Sequence, residues 1–157
     1  MDYSIVKTMK VSTITGDSQI VKGDIDVFAF DYSTHKPVHV QSTGLAGSGA
    51  PDISPVSVSF TVCSATPPMK QNFFKGTTFD TVVLTEYKTN QTDKPQPFRI
   101  VTLTNAQLNY FQNNETTGSL SFVFEKIEEE FFKQSTENGQ LTSSGKVTFD
   151  MLTRTVS

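Results

Sequence analysis

From Ser119 to Phe131 the chain reads Ser-Leu-Ser-Phe-Val-Phe-Glu-Lys-Ile-Glu-Glu-Glu-Phe, with Leu120, Phe122 and Phe124 at alternate positions. A period of two is the signature of a strand with one buried face. Glu125 to Lys133 could form a helix by propensity, but the alternation leading into it predicts that the strand continues. The same pattern recurs along the chain. Val56, Val58, Phe60 and Val62 share one face with small groups between them. Strands are also expected before Gly16, over Phe79 to Tyr87, over Phe98 to Thr104 with a continuation past Asn105 through Leu108 to Phe111, and over Val147 to Met151. Ile25 to Tyr32 carries large side chains on both faces, so something must cover each side of it.

The connections are distinctive. Gly16-Asp17-Ser18, Lys22-Gly23-Asp24 and Asn113-Asn114 to Gly118 have turn chemistry, and Thr89 to Pro97 and Gln134 to Gly145 read as polar loops. Ser33 to Ser54 holds Gly44, Gly47 and Gly49, with Pro37, Pro51 and Pro55 around them and few large apolar groups. That makes a loop of unusual length for a small β protein, of the kind that reaches for a partner. Thr66 to Gly76 is the one expected helix, with Thr66 as N-cap, Pro67 at the first helical position and Gly76 just past the end. Met69 and Phe73 would share its apolar face and pack on the sheet.

A chain of 157 residues fits one domain spanning 1–157. Its net charge of −3 argues against a nucleic-acid partner. No stretch approaches the ~20 apolar residues of a membrane helix. The N-terminal residues Met1 to Lys7 lack the basic start and apolar run of a signal peptide, which predicts synthesis in a cytosol without general secretion. A single cysteine, Cys63, fits folding in a reducing compartment.

Residues for chemistry are scarce. His35 and His39 are four apart, but Pro37 lies between them and no carboxylate or thiol stands at a ligand spacing, so no metal and no cofactor is expected. Cys63 sits beside the predicted helix N-terminus without a base to activate it, and reads as a structural thiol. Glu125 and Glu128 to Glu130 read as a solvated face or a guard on a sheet edge, since neighbouring strand positions point opposite ways. The two glycosylation triplets, at Asn90 and Asn114, matter only in a secretory compartment. No catalytic residue emerges, and the chain is expected not to be an enzyme.

The order of elements resembles the hemolysin-coregulated protein family, the tube proteins of bacterial type VI secretion. The resemblance rests on Ile25 to Tyr32, on the Gly-rich Thr43 to Gly49, on Thr66 to Gly76 followed by Phe79, and on Thr102 to Gln112 with Ser119 to Phe131. Tyr32 stands where the family often has tryptophan, and Val21 to Asp24 replaces a charged dipeptide. The resemblance implies a mainly β fold: a β-barrel of two packed antiparallel sheets with one short helix and a long extended loop. It also implies six-membered rings stacked into a hollow tube, expelled from the cytoplasm by a contractile sheath. Partners would be copies of the chain itself and the sheath, spike and effector proteins, with effectors carried as separate chains. In that frame Thr43, Gly44, Leu45, Gly47 and Gly49 would lie at a subunit interface, and Met69 and Phe73 would be the packing residues of the helix. Two alternatives are a tail-tube protein of a contractile phage or phage-derived particle, and a monomeric barrel for a small apolar ligand.

Overall fold

The computed structural model describes residues 4–47, 51–89, 96–134, 141–153 and 155–157. Its strands are β1 (Ser4–Val11), β2 (Ile25–Asp31), β3 (Thr34–His35), β4 (Val38–Gln41), β5 (Gly44–Gly47), β6 (Asp52–Ile53), β7 (Val56–Thr61), β8 (Thr78–Thr89), β9 (Gln96–Asn113), β10 (Thr117–Gln134), β11 (Leu141–Asp150) and β12 (Thr155–Val156). One helix, α1 (Thr66–Lys75), joins β7 to β8. The main sheet runs β12-β11-β10-β7-β2-β1-β8-β9, and β9 then pairs with β10. Six strands therefore close into an antiparallel barrel, with β11 and β12 as a flap beyond it. This is the mainly β barrel with one helix that the sequence implies.

Alternation fills the barrel. Met9, Val56, Val82, Leu84, Val101, Leu103, Ala106 and Phe122 are all fully buried, at 0% exposure. The T-shaped contact of Phe79 with Phe122, 6.3 Å between ring centres, links β8 to β10 across the interior. Thr8 is buried too, and its hydroxyl donates to the buried Asp24 carboxylate at 2.8 Å.

β10 is the closing strand. Its first part pairs with β7, from Thr117↔Thr61 to Phe122↔Val56, and its later part pairs along the same edge with β11, from Lys126↔Asp150 onward. β9 follows its other edge from Gly118↔Asn113 to Phe131↔Arg99. Residues 125–133 are strand, as expected, but the alternation does not run straight through. Leu120 and Phe122 are buried at even positions, whereas Ile127 is buried at an odd one. The change of face falls opposite Asn105, whose backbone is left-handed (φ 52°) and whose side-chain amide donates to Glu125 at 2.7 Å. The β9 core positions shift likewise, from Leu108 and Ala106 to Leu103 and Val101. Asn105 thus turns a barrel corner inside one unbroken strand.

Three further expectations change. Leu141 to Gly145 is not loop but the start of β11, paired with β10; its Ser, Thr and Gly residues lie on an exposed flap that needs no apolar pattern. The helix N-cap is Ala65, with no capping side chain. Thr66 instead accepts the Cys63 N–H on its Oγ1 at 3.1 Å, and the Asp17 carboxylate takes the Ser64 N–H (2.8 Å) and hydroxyl (2.6 Å). Those two bonds hold the Asp17 carboxyl below its usual range. Pro67 and Pro68 bring no N–H to an end that could not satisfy one. Gly76, at φ 70°, closes the helix as predicted. Thr89 and Gln96-Pro97, read as turn, belong to β8 and β9.

Candidate assembly surface

Residues 33–47 and 51–54 form a paired arm rather than a structureless loop. At its base the Ser54 N–H donates to the Ser33 carbonyl and the Ser33 N–H to the Ser54 hydroxyl, each at 2.9 Å. β3 and β6 follow, with Thr34↔Ile53 and His35↔Asp52 in register. Beyond Lys36-Pro37 a second ladder runs from Val38↔Gly47 to Gln41↔Gly44, closed by a two-residue turn at Ser42-Thr43. Gly44, at φ 119°, takes a backbone that a side chain would strain. Gly44, one of the glycines that suggested a loop, is what lets this hairpin turn tightly.

Of the interface residues expected from sequence, Thr43 is in the turn and Gly44 opens β5. Leu45 pairs with Val40 and Gly47 with Val38. Gly49 lies outside the described residues. From Thr34 to Gly44 every described side chain is exposed, including Val38 at 53% and Val40 at 79%. The described side chains from Thr34 to Gly44 therefore build no core among themselves, while Ile53 at the base packs on the barrel core.

At the mouth of the barrel beside the arm, the core changes character. Arg99 shares a face with Val101, and its guanidinium meets two carboxylates. Nη1 lies 2.8 Å from Glu86 Oε1, while Nε and Nη2 lie 3.0 and 2.9 Å from Glu129 Oε2. Phe30 and Phe131 flank the guanidinium, with ring centres 4.9 and 5.7 Å from Cζ. Partial burial pulls the Arg99 pKa down, but the two carboxylates outweigh it and the net shift is upward. Tyr32 stands at the same groove as Glu129, and burial first, then the Glu129 charge, push its pKa up to about 12.

Glu129 is thus not part of a solvated face, which corrects the reading of the acidic run. Its register partner is the buried Val101, so it points with the core, while Glu128 and Glu130 alternate outward to Lys146 (3.3 Å) and the Ser143 hydroxyl (2.8 Å). Sequence reasoning missed Arg99, Glu86, Glu129 and Tyr32 as a set. The signal was parity: Arg99 stands two residues from Val101 and four from Leu103, and Glu129 two from Ile127.

The opposite end is closed by α1. Met69 is buried at 1% exposure. Phe73 is half-buried, with its ring centre 6.3 Å from that of Phe111, which itself contacts Phe60 at 5.7 Å. Cys63 lines the packed space between Met9, Ile25, Phe60 and Met69, and its Sγ accepts the Ala65 N–H at 3.4 Å.

The outer side of the β2–β7–β10 wall is small and polar. Ala29, Asp31, Ser57, Ser59, Ser119 and Ser121 line a shallow groove of about 360 Å³ edged by Tyr110. Phe28, 56% exposed, is the extra residue where the β2–β7 register shifts between Val27 and Ala29. His35 is an exposed β3 residue and His39 lies on β4. Among the described residues, no three His, Cys, Asp or Glu side chains gather as a metal site. No described helix is long and apolar enough to cross a membrane. Asn114, in the second glycosylation triplet, accepts the Thr116 and Thr117 N–H groups at 2.9 and 2.8 Å and so shapes the β9–β10 turn. Asn90, in the first, lies outside the described residues.

A closed β-barrel capped by one helix, with an exposed arm at its mouth, defines a class of small barrel proteins. The model of the family described as "Type VI secretion system effector, Hcp" matches residues 8–131, and the chain belongs to that family. Solved structures agree in fold. One described as a type six secretion system protein superposes with a TM-score of 0.86 at 18% identity, covering 98% of this chain and all of its own. Hcp1 from Salmonella typhimurium gives 0.74 at 15% identity over the whole of both chains. A type VI secretion system effector from Yersinia pestis gives 0.66 at 14% identity, covering 92% of this chain and 98% of its own. No curated protein matches.

Proposed function

We propose that the chain is a non-enzymatic inner-tube subunit of a type VI secretion system. Copies associate head to tail into six-membered rings, and rings stack into a hollow tube inside a contractile sheath. The tube assembles in the cytoplasm and is expelled with its spike and with effectors as separate chains. The observation that carries this reading is the arm: two ladders in succession, with every described side chain from Thr34 to Gly44 exposed, projecting from a barrel already closed and filled. An isolated two-stranded hairpin is marginal in water, so its stability has to come from contact with another copy. Phe28 on its bulge and the outer edge of β11 along residues 142–147, which no described strand covers, supply further contact surface. The Ser-lined wall suits a wet lumen that lets cargo pass without adhering. An interior occupied by Met9, Leu84, Leu103 and Phe122 weighs against a ligand carrier.

The test is assembly. The wild-type chain should elute as a ring and form tubes under negative stain, whereas deletion of residues 43–49 should leave a folded barrel that makes no tubes. A deletion variant that builds normal tubes would remove the arm from the interface. A wild-type chain that stays monomeric at high concentration would remove the tube reading. Secretion is tested separately: intact protein should leave the source bacterium only when the sheath gene is present.

A further inference from the structure

We propose that Phe74 of one copy docks in the apolar groove at the barrel mouth of a second copy, as a knob enters a hole. The proposal rests on the reading that copies associate head to tail. A surface helix ordinarily turns an apolar stripe inward and a polar face to water. α1 obeys the first half of that rule, with Met69 buried and Phe73 half-buried. Its outer face breaks the second half. Pro67, Pro68, Gln71 and Phe74 are all exposed there, and Phe74, at 75%, is the most exposed of the described aromatic side chains. The Phe73 ring stands beside it, 5.7 Å between centres, and limits its swing without covering it.

The groove lies at the other end of the barrel and measures about 240 Å³. Ile127 and Phe149 are buried and make its floor, while Val147 and Val156, 49% and 65% exposed, make a wall. β9 spans the distance between the two features, with Arg99 at the mouth and Phe111 under Phe73 of α1. Phe74 cannot reach the groove of its own chain, so the contact can form only between copies. An apolar knob and an apolar pocket on different faces of one molecule make a heterologous contact, which repeats head to tail. Charge agrees with this pairing. α1 carries Lys70 and Lys75 and no acid. At the mouth a single guanidinium, Arg99, answers both Glu86 and Glu129, which leaves negative charge beside the groove. Thr34 and Pro51 of the arm border the same groove, so a helix end seated there meets the arm as well.

Phe74→Asp and Val147→Asp each change an exposed side chain, so both barrels should keep the wild-type melting temperature. Sedimentation beside wild type reads their self-association. We expect either change to raise the dissociation constant about tenfold or more, and Phe74→Leu, which keeps an apolar knob, to raise it less. In a chain carrying both Phe74→Cys and Val156→Cys, oxidation should link copies into a ladder, while each single variant links no more than wild type. Weakening by only one of the two Asp changes would assign the groove or the knob to a different contact and overturn the proposal. Unweakened association in both, or assembly of the double-cysteine chain without a ladder, would overturn it as well. If an Asp variant does not fold, the double-cysteine chain decides. A wild type that never associates would instead reject the head-to-tail reading and the docking with it, whereas failure of the docking alone leaves wild-type tubes intact.

Discussion

Gly118 stands directly opposite Phe60 across the β7–β10 ladder, and the Phe60 ring fills the space a side chain at 118 would need. A β-carbon at that position would lie 2.4 Å from Phe60 Cζ. The ring is 2% exposed and braced against Phe111, so it has little room to yield. Overpacking of this kind costs about 1–3 kcal/mol. Gly118→Ala is therefore expected to lower the urea midpoint without changing the slope, and Gly118→Val to lower it further. An unchanged midpoint in both would mean that the ring moves freely.

The two helix positions should separate in the same titration. Met69 is buried, and its truncation to Ala is expected to cost about 2–5 kcal/mol. Phe73 is half-buried and should cost less than the range for a fully enclosed ring, about 1.5–2.5 kcal/mol. Phe73→Ala proving more damaging than Met69→Ala would place the main helix contact at Phe73.

Tyr32 gives a pH signature. Its folded pKa is raised to about 12 from the usual 10.0, so the folded state holds this proton more tightly than the unfolded chain does. Stability from this group is fully present below about pH 10 and is lost as the pH rises from there through about 12. An ultraviolet titration of the folded protein should show one phenol ionising late, and Tyr32→Phe should abolish that step. A wild-type titration in which no phenol ionises late would contradict the half-buried placement of Tyr32 beside Glu129.

Much of the barrel was legible in the sequence because a one-sided core imposes period two wherever a strand crosses it. The even positions Val56, Val58 and Phe60, and Leu120 with Phe122, needed no tertiary information. The late half of β10 was legible as strand but not in its facing. Its parity changes at a corner set by Asn105, on a different strand, and a pattern read along one strand cannot register that. The same gap hid the Arg99 group: a Glu-rich run normally means solvent, and only the corner turns Glu129 inward. The arm was visible as an anomaly in composition, but β5 is Gly-Leu-Ala-Gly, without the branched residues that signal a strand. Thr66 failed as an N-cap because its hydroxyl was already committed to the Cys63 N–H.

The place of β10 in the barrel also governs how the chain can reach its fold. Before β10 is available, β7, β2, β1, β8 and β9 can form only an open sheet, with β7 at one end and β9 at the other. Residues 117–122 then zip against both ends at once and remove both. On the ribosome, the earlier strands must wait for this one to emerge, and pairings as distant as β1 with β8 bring no early reward. Two bare ladders are presented to other nascent chains during that wait. The vulnerable interval is therefore one of timing, between the appearance of β9 and the arrival of β10, and the short turn at Asn114 that joins them keeps it brief.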